Sequence, residues 1–540
     1  MSVPVDSRDD TTARGPSRNG PGRPIRLPDD PASERSGAVD PWARVGWLLS
    51  TSRALHPDMS RRDVLTTALR DLGITADLSR VSRWESGQQV VPLPVVRGYE
   101  QLLGVPEGTF VAATRGLLRA SVRAVRVAWP PAKPVAEHDT ATASLLDRAT
   151  SGEQLTGGEW LFLALDLERF GQLILPTVTW RTLCDRVVDE LTRTAGPAFA
   201  RRYEACVTLM THPSGCPHMI ASIEERLAAP DARWVSVLTS LLQFTASEAA
   251  TELLMRALEG SDRATATAAE LAVADKMARR HLDDAILTRI ERRVRDELLR
   301  DSAHRLATTN AVHHLPEPHF SRLLTALPDR RLRRRLTLTR ARHDLVDPQV
   351  STSISRNVAR RVQAHTPQSP AEPDRMLQRL VRESLFHPHT PRRQLACWLL
   401  HVSRYRDTAA DRYLRLVSEP NEFVAARGWE ALSVLGLGTR GRAAISISID
   451  ERRPALQRRG LTTIALHGGE LTATERQALA QVMGASTDEG VRMAAASVLG
   501  LRLREGDADA GEQASAYGPR RLEDPDCVVL TEGARVGGNG

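Results

Sequence analysis

The chain has 540 residues, 41% of them hydrophobic, and a formal net charge of +7. That is length enough for two or three domains with sizeable cores. No run approaches the ~18 consecutive apolar residues of a membrane span, which argues against a membrane protein. Residues 1–40 have no apolar h-region, so they do not read as a secretory signal, and a cytoplasmic, reducing setting is expected. Two of the 73 basic residues are lysines, Lys133 and Lys276, leaving 71 arginines. Such a skew reads as coding bias in a GC-rich genome, so no single arginine points to phosphate by itself. The five cysteines, Cys184, Cys206, Cys216, Cys397 and Cys527, are too scattered for a disulfide framework.

In chain order, residues 1–38 are rich in Pro, Gly, Asp and Arg, lack periodicity and are expected to be disordered. A compact module of short amphipathic helices follows at 41–120. Val45, Leu48, Leu49 and Leu55 share one helical face. Ser60 is placed to cap a second helix carrying Val64, Leu65, Ala68, Leu69 and Leu72, which Gly73 ends. Asp77 or Ser79 caps a short third helix through Arg80–Glu85, stopped by Gly87. Pro92 and Pro94 precede a fourth helix with Val95, Val96, Tyr99, Leu102 and Leu103, closed by Gly104. Residues 41–112 are expected to fold alone, since these helices carry their own apolar faces. A proline-containing linker, 121–139, comes next.

Residues 140–390 read as an irregular helical domain. From 391 to 504 a period of 32 residues emerges, relating Arg427-Gly428-Trp429 to Arg459-Gly460-Leu461. Leu432, Ile464 and Ala496 share one slot, Val434, Leu466 and Val498 another, and Gly436, Gly468 and Gly500 a third, read as helix stops. Each unit is a helical hairpin that needs neighbours to cover its apolar stripe. Leu432, Ile464 and Val498 are expected in the buried seam. The units resemble HEAT-type repeats, as in Glu489-Gly490-Val491-Arg492-Met493-Ala494-Ala495-Ala496. Residues 505–540 hold eight acidic residues against three arginines and are expected to form a disordered acidic tail. The fold class is therefore all-α: a small helix-turn-helix domain followed by an α-solenoid-like repeat domain.

The run Ser79-Arg80-Val81-Ser82-Arg83-Trp84-Glu85-Ser86-Gly87, then Pro92 and Val96-Arg97-Gly98-Tyr99-Glu100-Gln101-Leu102-Leu103-Gly104-Val105, resembles the XRE (lambda-repressor-like) helix-turn-helix family. The resemblance covers about 65 residues. It implies that the third helix enters the major groove of double-stranded DNA, with Ser79, Arg80, Ser82 and Arg83 facing base edges and Arg61 and Arg62 near phosphates. It also implies structural roles for Val81 and Trp84 as core, for Glu85 as partner of Arg53, and for Gly87 as a terminator. The 21 positions from Ser60 to Val81 exceed the family's usual spacing of about 14, so the second helix or the turn must be extended.

Other clusters carry less. Cys206, His212, Cys216 and His218 are zinc-ligand types in no known zinc spacing, and read as a buried cysteine beside a polar turn. His313-His314 and His387/His389 have no carboxylate or nucleophile placed with them by motif. The seven arginines of 330–342 read as a solvated face or a ridge for an anion. Phosphate-loop, nucleophile-elbow and zinc-protease motifs are lacking, so no enzyme, cofactor or metal is expected. The functional expectation is a bacterial transcriptional regulator. Its repeats would serve self-association or a protein partner, with no membrane role. The alternative is an interaction scaffold whose helix-turn-helix no longer binds DNA.

Overall fold

A computed structural model describes residues 27–33, 37–121, 136–169, 175–194, 196–229, 235–300, 311–370, 372–467 and 471–506. They are all-helical, without a strand among the described residues, and no helix there is long and apolar enough to cross a membrane.

The first five helices are α1 (Pro41–Ala54), α2 (Arg62–Asp71), α3 (Leu78–Glu85), α4 (Leu93–Leu102) and α5 (Thr109–Ala120). Asp40 caps α1 by accepting from the Trp42 and Ala43 amides, with Pro41 preset for the first turn. Asp77, not Ser79, caps α3. Ser60 caps nothing: α2 begins at Arg62 without a side-chain cap, and the Ser60 carbonyl instead accepts from Arg53. The extra length foreseen between Ser60 and Val81 lies in the turn, since α2 has 10 residues and residues 72–77 separate it from α3.

Helix α5 was not among the four amphipathic segments, and it joins the parts of the molecule. It packs on α1 and α4 inside the module, and on α9 (Gly196–Thr211) and α19 (Thr390–Val402) outside it. Its N-terminus is held by Glu100 of α4, whose carboxylate accepts from the Gly108 amide at 2.8 Å and the Val111 amide at 3.0 Å. Its far end carries Arg115, 3.0 Å from Glu204, and Arg119, paired with the same acid.

Between these contacts run α6 (Ala136–Ser151), α7 (Gly157–Arg169), α8 (Thr177–Leu191), α9, α10 (Cys216–Ala228), α11 (Val235–Leu241), α12 (Glu248–Glu259), α13 (Arg263–Ala278), α14 (Asp284–Leu299), α15 (His319–Ala326) and α16 (Arg330–Arg342). They enclose one apolar core reaching from Ala149 to Leu336. Then come α17 (Pro348–His365), α18 (Arg375–Phe386), α19, α20 (Arg406–Leu416), α21 (Glu422–Leu435), α22 (Gly441–Asp450), α23 (Pro454–His467), α24 (Ala473–Ala485) and α25 (Glu489–Gly506).

From α18 onward the helices pair, α18/α19, α20/α21, α22/α23 and α24/α25, while α19, α21, α23 and α25 stack in sequence. Leu432, Ile464 and Val498 are all fully buried, as expected of the seam. Val498 takes the seam where strict repetition would put Ala496, which is only half-buried. Gly436, at φ +81, ends α21 as expected. Gly500 does not stop a helix, because α25 runs through it to Gly506, and Gly468 lies outside the described residues. The glycines that matter more are Gly428 and Gly460. A Cβ on Gly460 would stand 2.9 Å from the Trp429 ring, so its absence lets α23 lie against α21.

Two expectations about boundaries change. The core of the repeats begins at Val358 rather than near 391, and it is continuous with the core of the N-terminal module. Residues 41–112 therefore share one apolar core with the repeats. Helix α1 is buried on nearly every side. Trp47 donates its indole N–H to Asp374 at 2.9 Å and stacks 6.1 Å from Tyr405. Arg44 makes two parallel bonds to Glu383, at 2.8 and 2.6 Å, and a third to Asp30 at 2.7 Å. Part of the segment expected to be disordered is thus ordered. Asp30 is fully buried against Arg44, and Arg379 holds Asp29 and the Ser33 hydroxyl. Residues 1–26 and 507–540 lie outside the described residues, as do 122–135 of the linker, whose last residues begin α6.

Glu383 also receives Arg392 at 2.8 and 2.9 Å, so Glu383→Gln leaves Arg392 without its carboxylate and Arg44 with Asp30 alone, and should cost about 3–5 kcal/mol in denaturant unfolding. A fragment spanning 41–121 should keep helical far-ultraviolet dichroism while losing a cooperative unfolding transition. A sharp transition would show the module to be independent.

Candidate nucleic-acid interface

Helix α3 is fixed from behind by one carboxylate. Glu85, 1% exposed, accepts from Arg53 of α1 (Nη2, 2.9 Å), Arg62 of α2 (Nε, 2.8 Å) and the Tyr99 hydroxyl of α4 (3.1 Å). Four helices therefore meet at a single charged group, and the expected Arg53–Glu85 pair is part of it. Burial, with the Glu85 charge next, pushes the Tyr99 hydroxyl well above its usual range, so it stays a donor. Val81 and Trp84 fill the core below, at 0% and 3% exposed.

The end of α3 is set by a close approach. Gly87, at φ +73, would place a Cβ 2.6 Å from the Ala43 Cα, and a Cβ on Gly46 would meet the Gly87 amide at 2.7 Å. Gly87 is a terminator, as expected, and also the contact point of α1. Gly46 has no motif signal and was missed.

The outer face of α3 presents Ser79 and Arg83 exposed, with Ser82 half-buried. The Arg83 guanidinium has no partner among the described residues. Arg80 is partly engaged, 3.5 Å from Asp77 and bonded to the Thr75 carbonyl at 3.3 Å. Arg61 is exposed and paired with Asp63. Arg62, expected near a phosphate, is committed to Glu85. Of the six residues expected at DNA, the fold puts Ser79, Arg80, Ser82 and Arg83 on one short helix. Arg61 stands at the start of α2, and Arg62 turns inward.

Sequence reasoning missed Leu78, which is 54% exposed in the first turn of α3 although apolar. It also missed Gln88 and Gln89, which join Arg80, Arg83 and Trp84 around an open concavity of about 830 Å³ beside the helix. This surface holds guanidinium donors, hydroxyls, amides and apolar side chains, Leu78 on the helix and Ile74, Pro92, Pro94 and Val95 around the concavity. Those are the groups that meet guanine edges, phosphates and thymine methyls.

The other clusters resolve differently. The rings of His212 and Trp180 lie 5.1 Å apart, His212 Nδ1 accepts from the Ser214 and Gly215 amides, and burial pushes the Cys206 thiol well up. Among the described residues no three His, Cys, Asp or Glu are placed to hold a metal ion. The two histidine pairs, distant in sequence, come together where the central helices meet the repeats. His314 and His389 have ring centroids 4.1 Å apart, His387 lies 6.4 Å from His389, and His343 stacks 6.1 Å from His387. Asp275 bonds His389, a carboxylate partner that no motif announced.

No protein-family model matches the chain. No curated protein is similar to it in sequence either.

Trp84→Ala should cost about 3–5 kcal/mol, because it empties the core beneath α3. The histidine cluster gives a pH prediction. Burial, then the Arg340 charge, lowers His313 to about 4, and burial, then His389, lowers His314 well below its usual value. A depressed folded value means stability that is present above about pH 6.5 and is lost as pH falls toward about 4. Glu100 and Asp374, raised by burial to about 7 and about 6, act in the opposite sense, so the cluster must be read as a difference. His314→Phe should lose less stability than the wild type between about pH 7 and 4.5 in urea unfolding. Parallel losses would mean that the joint is not acid-sensitive.

Proposed function

We propose that this chain is a sequence-specific DNA-binding protein, a transcriptional regulator of XRE type that lays α3 in the major groove of double-stranded DNA. One observation carries the reading: among the described residues the exposed Arg83 guanidinium makes no hydrogen bond or ion pair, its charge reaching Asp77 only at a distance, and its helix is locked on the opposite face to three others through Glu85. The backbone that carries Arg83 is fixed, so bonding guanine O6 and N7 orders the side chain alone and not the helix. Ser79 and Arg80 supply the neighbouring contacts, and Leu78 suits a thymine methyl. Arg61 belongs at a phosphate. The repeats anchor α1 rigidly and offer the surface for self-association or a protein partner.

A scaffold without DNA binding is the second reading. It is favoured by the engagement of Arg61, Arg62 and Arg80 with Asp63, Glu85 and Asp77. With eight arginines against six acids, residues 41–100 are only +2.

Selection of bound duplexes from a random pool by the full chain separates the two. A regulator enriches one motif. On that motif Arg83→Ala should cost about 1–3 kcal/mol and relax the preference at one position, while Arg61→Ala weakens all sequences alike. No enrichment, or an Arg83→Ala variant that binds like the wild type, leaves the scaffold.

A further inference from the structure

Helix α17 carries an open concavity of about 590 Å³ lined by Gln349, Thr352, Ser353, Arg356, Asn357 and Arg360, with Pro348 at its end. The side chains are all neutral hydrogen-bonding groups or arginines apart from that proline. Arg356 and Arg360 are exposed one helical turn apart, and neither has a partner among the described residues. Like charges at this spacing repel, so the helix gains nothing from them by itself. The six positions form a stripe about 16 Å long on one helix face, from the rise of 1.5 Å per residue.

The preceding helix repeats the pattern. Arg330, Arg331, Arg334 and Arg335 of α16 are exposed, and their guanidinium groups are without partners among the described residues. Two of them occupy the first turn, where no acid stands and the helix dipole disfavours cations. The nearby acids are already engaged: Asp329 caps α16, and Asp347 caps α17 and lies 3.8 Å from Arg342. A surface that breaks local charge rules without an internal compensation is the kind that a ligand completes.

We propose that the exposed stripe of α17 is a second DNA surface, which binds the phosphate backbone of duplex DNA without reading sequence. The proposal rests on the reading that this chain engages DNA. Amides and hydroxyls interleaved with arginine are the usual donors to phosphate and sugar oxygens. An acidic peptide is the poorer fit, because the shallow stripe offers no apolar pocket for the anchor residues that dominate protein contacts.

The test measures the full chain on a mixed-sequence duplex of about 40 base pairs over a salt series. Arg356→Ala with Arg360→Ala should lower the slope of log K against log salt by about 1.8, from 0.9 per lost phosphate contact, with thermal unfolding unchanged. An unchanged slope overturns the proposal. So does a variant that keeps the slope but loses affinity for poly-glutamate, which assigns the face to an acidic protein. A wild type that selects no sequence, yet whose slope still falls in the double variant, removes the groove reading of α3 and upholds this one. No measurable affinity for the duplex overturns both.

Discussion

The bond on which the arrangement depends is the buried, bidentate pair between Arg44 and Glu383, 339 residues apart in the chain. Arg44 is also held by Asp30, and Glu383 by Arg392, so two cations and two anions are dehydrated together. Exchanged for well-packed apolar residues, such a group is often neutral in stability. Its stronger effect is on geometry. A planar fork meeting a planar carboxylate accepts one orientation, which fixes the first helix of the module against the repeats. Trp47, bonded to Asp374, sets a second point on the same helix, so α1 has no freedom to rotate about its axis.

From that anchored helix the constraint passes to α3 by short steps. Gly46 and Gly87 bring the two backbones into contact, and Glu85 gathers Arg53, Arg62 and Tyr99. The exposed face of α3 is thereby oriented relative to the whole solenoid rather than to a mobile domain on a linker. Anything that shifts α18 or the histidine joint near Arg392 bears on the position of Arg83 through a few contiguous contacts. If α3 reads DNA as proposed, that is a physical route by which a partner of the repeats would influence it.

Local features were legible in the sequence, and distant pairings were not. The α3 motif announced Val81, Trp84, Glu85 and Gly87 because their roles are set by neighbours within a few residues or by a recurring spacing. The 32-residue period announced the stacked hairpins because Leu432, Ile464 and Val498 answer to the same seam. Gly500 was misread, since a glycine after an apolar run stops a helix only if the backbone turns left-handed there, as it does at Gly436. Asp30 looked like part of a disordered segment because its composition is polar. What orders it is a cation 14 residues ahead whose other partner lies near residue 383. Likewise His314, between α14 and α15, and His389, between α18 and α19, become neighbours only in the folded chain.

The arginine excess makes the same distinction between local and distant information useful for function. In a chain with so many arginines, presence carries little meaning, but the fold sorts them. Arg44, Arg53, Arg392 and Arg393 are buried on carboxylates, and Arg115, Arg202 and Arg226 bridge helices through Glu204, Glu190 and Asp189. Compositional drift supplies arginines indiscriminately, yet folding pairs most of those that an acid can reach. Those left over are Arg83 on α3, the exposed groups on α16 and α17, and single arginines elsewhere such as Arg292, Arg442 and Arg492; what sets α16 and α17 apart is that theirs are clustered. On the proposed reading, clustered unmatched charges are those to which a polyanion with regularly spaced phosphates would supply counter-charge at several points at once.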